Sequence, residues 1–216
     1  MRLYLIGVGP GDPELLTLKA VRLLRELPVL FYPLEEGREP LALNIARPHI
    51  PQGKPLLPVP LFTGGDRERA EVARREAARR IREALAWYRE GGYLVLGDSL
   101  LYASPFHLLP LLEGIRVEVV PGISAHQLAA ARLSRPLAMG EEGFAVLSGL
   151  KPPEDPEGLA RFRTLLFYKA KRAKEIAALF PNREAHVFRR LAMPGERQLS
   201  PEEVEGWDYW TLLLVR

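Results

Sequence analysis

Four short segments hold the residues best placed for chemistry. They are Gly7-Val8-Gly9-Pro10-Gly11-Asp12, Gly97-Asp98-Ser99-Leu100-Leu101-Tyr102, Pro121-Gly122-Ile123-Ser124-Ala125 and Leu191-Ala192-Met193-Pro194-Gly195-Glu196-Arg197. The first three each follow an apolar run, and glycine turns at strand ends are where an α/β protein builds a ligand site. Any one of them alone reads as an ordinary loop. The first invites a dinucleotide reading, G-x-G-x-x-G, but Asp12 stands at the third glycine position. A phosphate cradle needs free backbone N–H groups and no anion beside them, whereas Pro10 has no N–H and Asp12 is negative. An N-cap at Asp12 followed by Pro13 in the first helical position accounts for the local pattern. That role leaves room for a small ligand held by backbone contacts. His49, His107, His126 and His186 lack metal-ligand spacing, and the pairs Glu35-Glu36 and Glu141-Glu142 read as solvated acids.

The elements that position these loops follow from hydrophobic periodicity. Strands are expected at Arg2–Ile6, Val29–Tyr32, Leu56–Leu61 at an edge, Tyr93–Leu96 and Arg116–Val120. Further strands are expected at Phe144–Leu147, Thr164–Tyr168, His186–Arg190 and Tyr209–Val215. Helices are expected near Pro13–Leu27, Leu41–Ala46, Asp66–Glu90, Pro105–Leu112, Ile123–Leu133 and Ala170–Phe180, with Gly91-Gly92 ending the long one. Lys151–Gly158 reads as an exposed loop. Alternation of strands with long helices up to Glu113 predicts a mostly parallel sheet, and the shorter connections beyond it a mixed one. The expected fold is α/β, with two unequal lobes at residues 1–113 and 114–216 and a cleft between them.

With 216 residues, of which 47% are hydrophobic, the chain can bury a substantial core. There is no cysteine, which excludes disulfides, thiolate metal sites and cysteine nucleophiles. No run approaches the ~20 apolar residues of a membrane span, and the chain opens directly in a strand, so a cytoplasmic location is expected. The net charge is +3, carried by 24 Arg against 6 Lys. An RNA-associated protein using its arginines on phosphates is one alternative. On Asp66–Glu90, however, acidic residues interleave with the arginines, so an ion-paired solvated face is expected rather than a nucleic-acid surface.

In their order and spacing, the four loops resemble the tetrapyrrole methylase family over nearly the whole chain. Gly7–Asp12 is similar to its G-x-G-P-G-D loop. Gly97–Tyr102 is similar to its G-D-P-x-x-Y loop, with Ser99 in place of proline, and Pro121–Ser124 to its P-G-(V/I)-(S/T) turn. The resemblance implies two α/β lobes and methyl transfer from S-adenosylmethionine, with S-adenosylhomocysteine as product. It implies cofactor contacts at Pro10, Gly97, Asp98, Leu101, Ser124, Ala125, Tyr168, Lys169 and Ala192. Tyr168 and Lys169 would act through their backbone. Tyr32-Pro33, Pro136-Leu137-Ala138 and Ala192–Arg197 narrow the expected reaction to C20 of precorrin-2 or its cobalt form in cobalamin synthesis. Another tetrapyrrole, such as uroporphyrinogen III, or another corrin carbon is the alternative.

Such a transfer needs no metal and no nucleophile–base pair, since the sulfonium methyl is already activated. The protein must align the reactants at ~3 Å and exclude water. A base must take the ring proton, and no residue is assigned to it. Tyr102 and His126 are candidates by position. Arg38 and Arg190 are expected to meet substrate carboxylates in bidentate fashion. A homodimer is expected, partly from the resemblance and partly from the apolar run Leu108–Leu112.

Overall fold

The computed structural model describes residues 1–216. Two sheets organise two compact units, Met1–Ser124 and Ala125–Arg216. The expected boundary at residue 113 falls too early. Arg116–Val120 pairs with the first strand and therefore completes the N-terminal sheet.

In the first unit, strands β1 (Arg2–Gly7), β2 (Leu30–Leu34), β3 (Leu56–Pro60), β4 (Glu90–Val95) and β5 (Arg116–Val120) lie in the order β3-β2-β4-β1-β5, all parallel. Side chains alternate between faces, as strand geometry requires. Leu3 and Leu5 point to one core with Ile81 and Leu85 of helix α3 (Arg67–Tyr88). Tyr4 and Ile6 point to another, with Leu23 and Leu24 of α1 (Leu18–Glu26) and Leu43 and Ile45 of α2 (Leu41–Ala46).

The chain leaving β1 runs toward β2 over the second face. The chain leaving β4 runs toward β5 over the first, where Leu108 and Leu112 are buried. Neighbouring strands whose chains depart to opposite faces open a crevice at their carboxyl ends. The Gly7–Asp12 and Gly97–Tyr102 loops stand there.

Several local expectations are revised. Asp12 does cap a turn, accepting Glu14 N–H at 2.8 Å, but the turn is a single 3₁₀ turn. Helix α1 starts later, where Thr17 caps it through Ala20 N–H at 3.2 Å. Helix α3 ends at Arg89, which takes φ 67°, and not at the glycine pair. Gly91 and Gly92 lie inside β4, where a Cβ would come within 2.8 Å of Phe31 and 2.7 Å of Ile6. Their signal is close packing, not a turn. Pro105–Leu112 forms two 3₁₀ turns, since Pro105 and Pro110 interrupt a continuous helix.

In the second unit, β6 (Phe144–Ser148), β7 (Thr164–Tyr168), β8 (Ala185–Arg189), β9 (Arg197–Leu199) and β10 (Thr211–Val215) form a mixed sheet ordered β6-β7-β10-β8-β9. β6 and β7 are parallel, and the other pairs are antiparallel. Helices α4 (Ala125–Arg132), α5 (Pro156–Leu159) and α6 (Ala173–Ala178) complete the unit. Ala173 and Ile176 of α6 pack with Phe167, Phe180, Val187 and Leu213 in its core. Neither β9 nor α5 was expected. Both are short, and β9 carries only polar residues before Leu199. No helix is long and apolar enough to cross a membrane.

Candidate functional site

In the first unit, three of the four loops meet backbone to backbone. The N–H of Gly97 donates to Gly9 O at 2.8 Å, and Gly9 N–H donates back to Gly97 O at 3.2 Å. A Cβ on Gly7 would lie 2.6 Å from Gly122 N and 2.9 Å from Gly97 O, and one on Gly122 would collide with the same carbonyl. Both positions demand glycine through close approach.

Asp98 ties the second loop to the third. Oδ1 accepts Leu100 N–H and Oδ2 accepts Gly122 N–H, both at 2.9 Å. Ser99, fully buried, donates to Val120 O at 2.9 Å or Leu5 O at 3.3 Å. The sequence carried a signal for it, a serine where the loop pattern has proline, but not the role. Pro10 and Ser124 are buried, Leu101 is half-buried and Tyr102 is exposed. Partial burial pushes the Tyr102 phenol up from its ordinary value.

In the second unit the expected residues gather at one end of the sheet. Register places Tyr168 opposite Leu212 and Arg189 opposite Thr211, so Lys169, Arg190 and Trp210 share that end. The Tyr168 hydroxyl receives the His126 backbone N–H at 3.1 Å and lies 2.8 Å from His126 Nδ1. This side-chain link between α4 and β7 was not foreseen, since Tyr168 was expected to act through its backbone. Lys169 Nζ stands 4.8 Å from the centre of the Tyr209 ring, and Lys171 Nζ 5.4 Å from that of Trp207.

The two arginines expected at the substrate are already ion-paired. Arg38 meets Glu35 at 2.9 Å, and Arg190 Nε meets Asp208 at 2.7 Å. Burial alone would raise the Asp208 carboxyl. The Arg190 hydrogen bond, the Trp210 N–H and the charges of Arg190 and Arg189 outweigh it and hold the group below its ordinary value.

Ala192 donates its N–H to Glu196 Oε2 at 3.0 Å, and Glu196 in turn pairs with Arg132. Ala125 is half-buried at the first residue of α4. The side chains form no group of three His, Cys, Asp or Glu able to hold a metal.

Backbone strain marks the same places. Six non-glycine residues take positive φ, and four of them are expected site residues: Tyr102 at 52°, Lys169 at 56°, Arg190 at 52° and Ala192 at 55°. The other two, Arg89 and Ser134, follow the ends of α3 and α4, where a left-handed residue is ordinary. Such conformations cost ~1–3 kcal/mol each and cluster at ligand sites.

Residues 2–203 match the family model for tetrapyrrole (corrin/porphyrin) methylases. The chain belongs to this family. It is 30% identical over 190 residues to a probable cobalt-precorrin-2 C(20)-methyltransferase of Methanocaldococcus jannaschii, covering 87% of this chain and 80% of the relative. It is 28% identical over 204 residues to the cobalt-precorrin-2 C(20)-methyltransferase of Salmonella typhimurium, covering 91% and 86%. Among solved structures, it is similar to the uroporphyrin-III C-methyltransferase of Thermus thermophilus in complex with S-adenosylhomocysteine. The TM-score there is 0.71 and the identity 28%, covering 100% of this chain and 97% of that one. The protein is an S-adenosylmethionine-dependent methyltransferase of tetrapyrroles. The arginines of α3 fit this reading better than RNA binding: Arg74, Arg75, Arg79 and Arg80 pair along the helix with Glu71, Glu76 and Glu83.

Proposed function

We propose that the chain methylates C20 of precorrin-2, or of its cobalt form, in cobalamin biosynthesis. The observation that carries this reading is the coincidence of site residues, loop contacts and backbone strain, together with similarity to two C20-methyltransferases over most of the chain.

The donor set suits S-adenosylmethionine. That molecule has no phosphate, and the loops offer backbone groups and the carboxylates of Asp12, Asp98 and Glu196 instead of a cationic cradle. Pro10, Gly97, Asp98, Leu101, Ser124, Ala125, Tyr168, Lys169 and Ala192 would hold it. When bound, it supplies a methyl group on a sulfonium, already activated for attack by an electron-rich ring carbon.

The residues of this chain have positional work. Asp98 fixes the spacing of two loops and can accept from a ribose hydroxyl or ammonium through lone pairs its two amide bonds leave. Ala192 presents a small side chain, which lets a flat base approach closely. Arg38, Tyr102, His126 and Arg190 stand on the substrate side in this reading. Arg38 and Arg190 are pre-oriented by Glu35 and Asp208 and keep further N–H donors for substrate carboxylates.

The test is incubation with S-adenosylmethionine and precorrin-2, with and without cobalt, and location of the new methyl by NMR. A methyl at C20 is expected. Turnover only of uroporphyrinogen III, or a methyl at another carbon, would replace this substrate by the other reading.

A further inference from the structure

Ala192 is held in a conformation that alanine rarely adopts, φ 55°, by a small network of named contacts. Its N–H donates to Glu196 Oε2 at 3.0 Å. The same carboxylate receives Arg132, the last residue of α4, through Nε at 3.0 Å and Nη2 at 3.3 Å. Between the two ends, Met193 N–H donates to Arg190 O at 2.8 Å and Glu196 N–H to Met193 O at 3.0 Å. At its start the loop is tied to the approach to β10, since Arg190 N–H donates to Trp210 O at 2.9 Å. One carboxylate thus joins a strained loop residue to a separate helix.

We propose that Glu196 is a positioning residue for cofactor binding: it holds Ala192 in the left-handed conformation, and Arg132 fixes the direction of its carboxylate. The role follows from strain. An l-residue left to itself relaxes out of this region of φ unless the peptide planes on both sides of it are held; the Met193 N–H bond to Arg190 O holds the one after Ala192, and Glu196 holds the one before it. A charge-assisted acceptor suits the task because it is stronger than a neutral one. Arg132 leaves that acceptor few alternative orientations. The proposal rests on the reading above that Ala192 meets the adenine of the cofactor.

The experiment measures S-adenosylhomocysteine affinity of the full chain by calorimetry, with Tm recorded for each variant. Glu196→Ala should weaken binding about tenfold. Adding Ala192→Gly should restore most of the loss, because glycine adopts this φ without strain. Glu196→Gln, which keeps an oxygen for the Ala192 N–H but not the charge pair, should fall between wild type and Glu196→Ala. It also keeps the test open should the alanine variant fail to fold. A carboxylate that merely braced the fold would lower Tm, and glycine at 192 would not rescue affinity. Binding by Glu196→Ala within twofold of wild type, or no rescue by Ala192→Gly, would overturn the proposal. Absence of binding by the wild type would overturn the cofactor reading itself.

Discussion

Both carboxylate oxygens of Asp98 accept backbone N–H groups, one from its own loop and one from the loop after β5. Replacing it with alanine leaves two amides without these partners at the point where three loops meet. S-adenosylhomocysteine affinity of Asp98→Ala should drop by about 1–3 kcal/mol, the range for losing a charged hydrogen-bond partner. Calorimetry showing unchanged affinity would confine Asp98 to a local role. Glu196 offers a test by pH. The Arg132 hydrogen bond first, with burial opposing and the Ala192 N–H assisting, holds its carboxyl below the ordinary 4.5. A depressed carboxyl contributes stability that is fully present above the unfolded value and is lost as pH falls through the folded one. The Tm of wild type should therefore exceed that of Glu196→Gln at neutral pH. The two curves should converge as pH falls from 4.5 through the lower folded value. A difference that persists at pH 2 would assign the effect to something other than ionisation.

At the scale of elements, the glycine loops at strand ends were legible because glycine and proline write backbone geometry directly into sequence. Gly7, Gly97 and Gly122 were named as parts of ligand loops. Their mutual contact was not readable, since it depends on strand order. Gly91 and Gly92 show the same residue type meaning something else: room for Phe31 and Ile6 against a buried strand. The roles of Glu196 and Asp208 and the Tyr168–His126 link were missed because each partner lies far along the chain or has an equally ordinary local role. The Gly7–Gly122 contact predicts a sharp packing penalty. Gly122→Ala should destabilise the chain by ~1–3 kcal/mol, the usual cost of overpacking. For a protein of this size, each kcal/mol is ~2–4 °C in Tm. Thermal denaturation within 1 °C of wild type would show that the loops can part without cost.

At the scale of the whole molecule, one argument for self-association has to be replaced. Leu108 and Leu112, expected to be surplus apolar material, are 5% and 2% exposed in the core of the first unit. The exposed apolar residues nearby with no role in the proposed site are Leu100 at 61% and Phe106 at 39%, on the loop after β4 or just beyond it. Burying them against a second copy is the reason to expect a dimer. Sedimentation at micromolar concentration should give about twice the 24.3 kDa of one chain. A monomer there would remove this reason for a dimer.

The position of β1 bears on how the enzyme comes into being during synthesis. Its partners on either side are β4 and β5, so Arg2 waits for Glu90 and Arg116. Pairings this distant in sequence close slowly. Everything between β1 and β4 must be made before β1 finds a first neighbour, and everything up to β5 before it finds the second. The loop after β1 is made well ahead of Gly97 and Gly122, yet it meets them only once the strands ahead of them are in place. The ribosome therefore delivers the first part of the binding loops long before the parts that complete them. A chain interrupted ahead of Glu90 carries the Gly7–Asp12 motif with neither Gly97 nor Gly122 against it.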